Sequence, residues 1–287
     1  MTMGLPYVLL PVGVDDVALD ACLAALEAAT PAGTAVWLAD DGQAGPRAQA
    51  VIEHWRAHTG LQAEYTRRER GIGEVAHLDQ MLQACGDADV VVLAPDAEPL
   101  PGWLQQLADC LARDASIATA TAWSNAGETT AWPRPGEVNP VPGERARLAQ
   151  ACAAMPPLHP ELPSAVAHAV ALRGSARRKA GGLDASSYGS RYAALVDLSL
   201  RMSGLGWRNV LCEGAFVACR SEGLPADGDV EALASRWPAW PARLATFLME
   251  DPLHPLREQL RQRFAQAIMP AAQRDLFEAC GSRPGPE

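Results

Sequence analysis

Two carboxylates one residue apart, Asp96 and Glu98, follow a run of valine and leucine that ends at Ala94. Carboxylates at that spacing can hold a divalent cation, directly or through water, while the cation neutralises a phosphate. An isolated Asp-x-Glu is more often an acidic loop. The preceding Asp89-Val-Val-Val-Leu-Ala94 shifts the balance, because an unbroken apolar run of this length suits a strand covered on both faces. Such a strand delivers its last side chains into the crevice where open α/β sheets take ligands.

Two more acidic pairs sit at predicted strand ends. Asp15-Asp16 precedes a helical stretch, and an Asp there is more often an N-cap than a ligand contact. Asp40-Asp41-Gly42 leaves two readings open. A strand-end carboxylate can accept the imide N–H of a uracil-like base, and Asp-Gly is also a common turn. His54 and His58 stand four apart on a helical stretch, but with Glu53 and Arg56 beside them they read as an exposed face rather than a metal site. No Walker phosphate loop, Gly-x-Ser-x-Gly elbow or Gly-x-Gly-x-x-Gly fingerprint is present, which disfavours dinucleotide chemistry.

Periodicity supplies the elements that must position these groups. Apolar strands are expected at 7–12, 35–39, 61–66, 90–94 and 117–123. Helices are expected at 17–29, 46–58, 75–84 and 103–112. Strands alternating with helices predict a mostly parallel α/β sheet with right-handed crossovers. Residues 124–163 are Pro-rich apart from a helix at 144–155, and loops this long are usually functional or mobile. A further helix is expected at 193–202. Residues 221–287 read as a helical extension, with helices at 229–236, 242–249 and 256–268, the last carrying Leu260, Phe264 and Ile268 at helical spacing, and a disordered tail at 281–287. The expected domain limits are therefore 1–220 and 221–287.

Composition narrows the classes. The 287 residues are 48% hydrophobic with a formal net charge of −10, which argues against a nucleic-acid surface. Seven cysteines form no Cys-x-x-Cys pair and read as reduced buried thiols. No basic leader or membrane-spanning run is seen, so a cytoplasmic protein is expected, with peripheral attachment at the inner face of a membrane as a further option.

In order along the chain, Leu9-Leu-Pro-Val12, Leu38-Ala-Asp-Asp-Gly42, Arg70-Gly-Ile-Gly73 with Asp79, Val91-Val-Leu-Ala-Pro-Asp-Ala-Glu98 and Gly102-Trp-Leu104 resemble family 2 glycosyltransferases of the GT-A fold. Ser124-Asn125, Gly181-Gly-Leu-Asp184, Val196-Asp-Leu-Ser-Leu-Arg201 and Gly206-Trp-Arg208 continue the resemblance, which covers roughly residues 5–220. It is the ordered set, of a bacterial type, that carries the likeness. The resemblance implies an inverting enzyme that moves a sugar from a nucleoside diphosphate sugar, UDP or dTDP by preference, to a hydroxyl of a glycan, lipid-linked or protein acceptor in surface polysaccharide or glycoconjugate synthesis. It places Pro11, Asp40, Asp41, Gly73, Asp79 and Asp96 against the nucleotide, and Mg²⁺ or Mn²⁺ on Asp96 and Glu98.

The chain also departs from the family pattern. The acidic pair that supplies the general base ahead of Asp-Leu-x-x-Arg is replaced by Ala194 and Leu195, leaving Asp197 or Asp184 as the base. An Asp–Arg pair at i,i+4, as Asp197 and Arg201 form, is equally an ordinary helix contact. The strand that usually carries a histidine near the metal ends in Cys219-Arg220, and Arg220 could contact a diphosphate without metal. Trp132 is either a sugar platform on the acceptor side or a hydrophobic plug. The alternative function is a family member that has lost chemistry and acts as a nucleotide-sugar binder or as partner of an active transferase. The C-terminal helices would then offer an oligomer or partner contact.

Overall fold

A computed structural model describes residues 4–141, 143–220 and 223–267. The expectations at Ile268, Cys280 and the 281–287 tail lie outside the described residues. The chain begins β1 (Tyr7–Pro11), α1 (Asp16–Ala29), β2 (Ala35–Asp40), α2 (Pro46–His58), β3 (Gln62–Arg67), α3 (Glu74–Ala84) and β4 (Val90–Leu93). The next elements are β5 (Glu98–Pro99), α4 (Trp103–Arg113), β6 (Ile117–Trp123), α5 (Arg145–Ala153), β7 (Ala169–Leu172) and α6 (Gly174–Ala180). The last are α7 (Arg191–Gly204), β8 (Arg208–Ala218), α8 (Asp229–Arg236), α9 (Trp240–Glu250) and α10 (His254–Ala267).

The eight strands form one sheet in the order β3-β2-β1-β4-β7-β6-β8-β5. The strands β3, β2, β1 and β4 run parallel, β7 runs antiparallel to both β4 and β6, and β8 runs parallel to β6. Helices cover both faces, as a mostly parallel sheet requires. One core cluster packs α1, α2 and α4 on one face, with Leu10, Leu23 and Ile52 fully buried, and a second packs α3 and α7 on the other through Leu78, Met81 and Leu198. All four residues of β4 are buried, each contributing about 1.5–3 kcal/mol, so the strand that ends at the acidic motif is firmly fixed.

The C-terminal helices belong to the same packed body. Leu233 of α8 and Trp240 of α9 join the second cluster, while Leu253, just before α10, and Leu256 and Leu260 of α10 join a third with Trp123, Trp132 and Phe216. The buried Asp229 carboxylate accepts from the Gly189, Ser190 and Ala226 amides, tying the start of α8 to the start of α7. No helix among the described residues is long and apolar enough to cross a membrane.

His168 precedes β7 and is fully buried, with Nε2 placed 3.1 Å from the Ala122 carbonyl. Burial pushes its pKa down to about 4, although hydrogen bonds to the Ala122 and Trp123 backbone pull the other way. The folded protein thus keeps the ring neutral, whereas the unfolded chain protonates it near pH 6.5. Its contribution is fully present above that pH and is lost as pH falls toward 4, amounting to about 3 kcal/mol. The melting temperature of wild type should fall more steeply than that of His168→Gln between pH 6.5 and 4. Parallel curves would show that this histidine does not titrate in that window.

Candidate functional site

The chain builds β1, moves outward to β2 and β3, then returns to place β4 on the other side of β1. The carboxyl ends of β1 and β4 are therefore a topological switch point, where an open α/β sheet leaves a crevice. A cleft of about 680 Å³ opens there. Pro11 to Val14 line it at and after the end of β1, Ala39, Asp41 and Gln43 at and after the end of β2, and Pro95 in the loop after β4. Gly71, Gly73, Glu74, His77 and Arg191 close the far wall.

Local chemistry explains how each wall is held. The Asp41 carboxylate accepts from the amides of Ile72 and Gly73, pinning the loop before α3 onto the end of β2. That loop approaches so closely that a Cβ on Gly71 would lie 2.7 Å from the Asp41 carbonyl oxygen, and Gly73 adopts a φ of +96°. Glycine is needed at both positions for these reasons. Across the cleft, Arg191 at the start of α7 is buried and donates to Glu74 at 2.9 Å, while its Nε has no hydrogen-bond partner among the described residues. Burial lowers the pKa of His77, so the cleft presents a neutral imidazole at neutral pH. Sequence reasoning singled out neither His77 nor Arg191. A signal for Arg191 existed in its place just after the Ser190 cap, three residues ahead of the position where relatives carry their acids.

The expected site residues fall into three groups. Pro11, Asp41 and Gly73 line the cleft. Asp96 is half-buried, directly after the cleft residue Pro95, and makes no ion pair among the described residues. Glu98 lies on β5, paired with β8 through Ala218, and its carboxylate forms an ion pair with Arg145.

The second group is turned inward. Asp40 is completely buried and accepts four hydrogen bonds, from the Gln43 and Ala44 amides on one oxygen and from Tyr65 and Arg67 on the other. Four donors fill the acceptor capacity of a carboxylate, so this residue secures the turn after β2 and has none left for a base. Asp79 accepts from the Leu183 amide and faces Gly182, outside the cleft. Trp132 is buried between Phe216 and Phe264, with its indole N–H donating to the Arg257 carbonyl, so it offers no ring face to a sugar.

The third group is the pair of candidate bases. Asp197 is fully buried on α7 and receives hydrogen bonds from Trp237 at 2.8 Å, Arg201 at 2.9 Å and Tyr188 at 3.3 Å, with Arg236 Nε at 3.2 Å. Asp184 accepts from Ser186 and Ser187 and pairs with Arg236, and these contacts, the Ser186 bond foremost, hold its pKa well below the usual carboxylate range. The positions where relatives carry acids, Ala194 and Leu195, are packed in the second core cluster.

A second cleft, of about 570 Å³, lies between residues 126–138, Tyr192, Arg220 and the helices α8 and α9. Its lining is largely apolar, and Val138, Leu224 and Val230 stay exposed along it. Arg220 lines it and pairs at 3.2 Å with Asp15, the residue that caps α1 through the Val17 and Ala18 amides beside the first cleft. Both partners are more than half exposed, so this pair contributes little to stability.

The fold has its counterpart in known proteins. The family model described as Glycosyl transferase family 2 matches residues 15–159, half of the chain. The protein belongs to the family 2 glycosyltransferases, and it has their GT-A fold. Among solved structures, the crystal structure of GalNAc-T7 with UDP, GalNAc and Mn²⁺ is similar at a TM-score of 0.61 and 12% identity, covering 99% of this chain and 59% of that one. The mannosyltransferase PcManGT from Pyrobaculum calidifontis, in complex with GDP-Man and Mn²⁺, is similar at 0.51 and 14%, covering 99% and 79%. S. aureus TarS 1–349 in complex with UDP-GlcNAc follows at 0.55 and 11%, covering 92% and 72%. No curated protein sequence matches the chain.

Proposed function

We propose that the first cleft binds the nucleoside diphosphate of a sugar donor, and that the apolar second cleft receives the acceptor whose hydroxyl takes the sugar with inversion. The observation that carries this reading is the convergence of Pro11, Asp41, Gly73 and Pro95 on one crevice at the switch point. The relatives crystallised with UDP, GDP-Man and UDP-GlcNAc support a nucleotide-sugar donor. Because the Asp40 oxygens are engaged internally and cannot select uridine or thymidine, base choice in this reading falls to the backbone of residues 11–13, His77 and Arg191. An acceptor with an apolar portion, such as a lipid-linked glycan, fits the second cleft best.

A second reading, a nucleotide-sugar binder without transfer, is favoured by the burial of Asp197 and the ties on Asp184. A general base must reach the proton that it removes. Of the two carboxylates on the second cleft, Glu137 is paired with Arg134, and Glu128 is exposed without an ion pair among the described residues. Glu128 is therefore the group that we assign to proton removal.

The donor set does not fit a resident divalent cation well. Glu98, half of the expected pair, is held by Arg145, and no group of three His, Cys, Asp or Glu side chains among the described residues could hold a metal. Asp96 alone remains free to share an ion with substrate phosphates.

Two measurements test the function. Calorimetry with UDP, dTDP and GDP should show binding by the folded protein, and failure of all three would end the donor-site reading. Release of nucleoside diphosphate from the matching sugar donor, absent in Glu128→Gln with donor affinity intact, would support transfer. Binding with no release, even with lipid-linked acceptors, would favour the binder.

A further inference from the structure

Glu98 and Arg145 come from segments 47 positions apart, and each is anchored independently of the other. Glu98 is fixed by the pairing of β5 with β8, opposite Ala218. Arg145 is the first residue of α5, whose Leu148 and Cys152 are fully buried in the third core cluster. The fold therefore brings a guanidinium onto the second carboxylate of the strand-end motif, two residues past the unpaired Asp96 and three past the cleft residue Pro95. We infer that Arg145, held on Glu98, supplies the positive charge that neutralises the donor diphosphate, so that nucleotide binding proceeds without a divalent cation. This rests on the reading of the first cleft as the donor site.

Three observations carry it. A guanidinium has five N–H donors in a planar fork, and the contact with Glu98 uses one nitrogen, leaving the rest of the fork for phosphate oxygens. Its side chain remains 41% exposed and that of Glu98 28%, so a ligand can reach the pair. A dication on Glu98 must either displace Arg145 or sit against a like charge, which Coulomb repulsion opposes. Arg220, the cation expected from the sequence at this place, lines the second cleft and not the first. Asp96 then keeps a different task, as an acceptor for a sugar or ribose hydroxyl rather than one half of a metal site.

The test is calorimetric titration of UDP, GDP and uridine into the full chain, in EDTA and again with Mn²⁺. Wild type, Arg145→Gln, Arg145→Lys and Glu98→Gln are compared, each checked for an unchanged melting curve. Wild type should bind a diphosphate equally well in both buffers. Arg145→Gln should weaken diphosphate binding by about tenfold or more, the scale of a lost charge-assisted hydrogen bond, and leave uridine binding within about twofold. Arg145→Lys, which keeps the charge without the fork, should fall between and stays informative if the glutamine variant does not fold. Glu98→Gln should bind UDP as well as wild type or more tightly, since it releases Arg145. The metal-site alternative makes the opposite prediction. Binding that needs Mn²⁺ and disappears in Glu98→Gln would overturn the inference while leaving the donor site in place. Absence of any nucleotide binding would overturn the donor-site reading and the inference with it.

Discussion

Asp197→Ala should lower stability by about 3–5 kcal/mol, the usual cost of removing one partner from a buried ion pair. The carboxylate is fully buried and receives Arg201, Trp237 and Tyr188, with Arg236 close by. Truncation leaves the Arg201 Nε and the Trp237 indole N–H without their acceptor, while Arg201 keeps the Ala180 and Gly182 carbonyls and Arg236 keeps Asp184. Arg236 is 40% exposed and water compensates it in part, which puts the expected value at the lower end of that range. For a chain of this size, about 3 kcal/mol corresponds to roughly 6 °C in melting temperature. Asp197→Asn keeps the shape but removes the charge, and should fall between. Donor binding measured well below the melting point should stay near wild type in both variants. If Asp197→Asn melts like wild type and sugar transfer alone is lost, the residue is a base after all and its buried position is not the working one.

The contrast between Asp197 and Asp96 shows what the sequence could and could not display. Strand ends and apolar periods are local properties, and α2 (Pro46–His58), β6 (Ile117–Trp123) and α8 (Asp229–Arg236) fall where periodicity puts them. The acidic motif after β4 was equally visible, because a buried four-residue strand followed by charge is a pattern of neighbours. The partners of those charges were not visible. Glu98 meets Arg145 across 47 positions and Asp40 meets Arg67 across 27, and nothing in the spacing of either pair announces the contact.

The same limit explains the missed elements. β7 (Ala169–Leu172) is only four residues long and runs antiparallel between β4 and β6, while β5 exists only because Glu98 and Pro99 pair with β8. Short strands of this kind are defined by their partners rather than by their own period. Seven cysteines read as inert thiols also conceal a long-range arrangement. Cys110 lies 3.4 Å from His159 Nδ1, which is 3.1 Å from Glu213. Hydrogen bonds from Cys212 and His159 bring the Cys110 thiol down to about 6, and those to Cys110 and Glu213 raise His159 to about 10. Glu213 also accepts from the Leu158 and His159 amides, which holds residues 158–159 against β8.

Trp132→Ala should cost about 3–5 kcal/mol, in the range of a buried aromatic cut to a methyl group. The ring is 4% exposed and sits edge-on to Phe216 at 6.5 Å and to Phe264 at 5.8 Å. Its indole N–H donates to the carbonyl of Arg257, and the Arg257 side chain in turn donates to the carbonyls of Ala131 and Thr129, so the tryptophan and α10 hold one another. Removal opens a cavity and leaves a buried carbonyl without its donor, and both effects act on the docking of α10. Trp132→Phe keeps most of the ring contacts but loses the donor, and should cost about 1–3 kcal/mol. Hydrogen exchange should therefore speed up first in α10 in both variants. A sugar platform would behave differently, because an exposed stacking ring can be removed with little loss of stability and a large loss of acceptor affinity. An unchanged melting temperature for Trp132→Ala would return Trp132 to the acceptor site and show that α10 is held by other contacts.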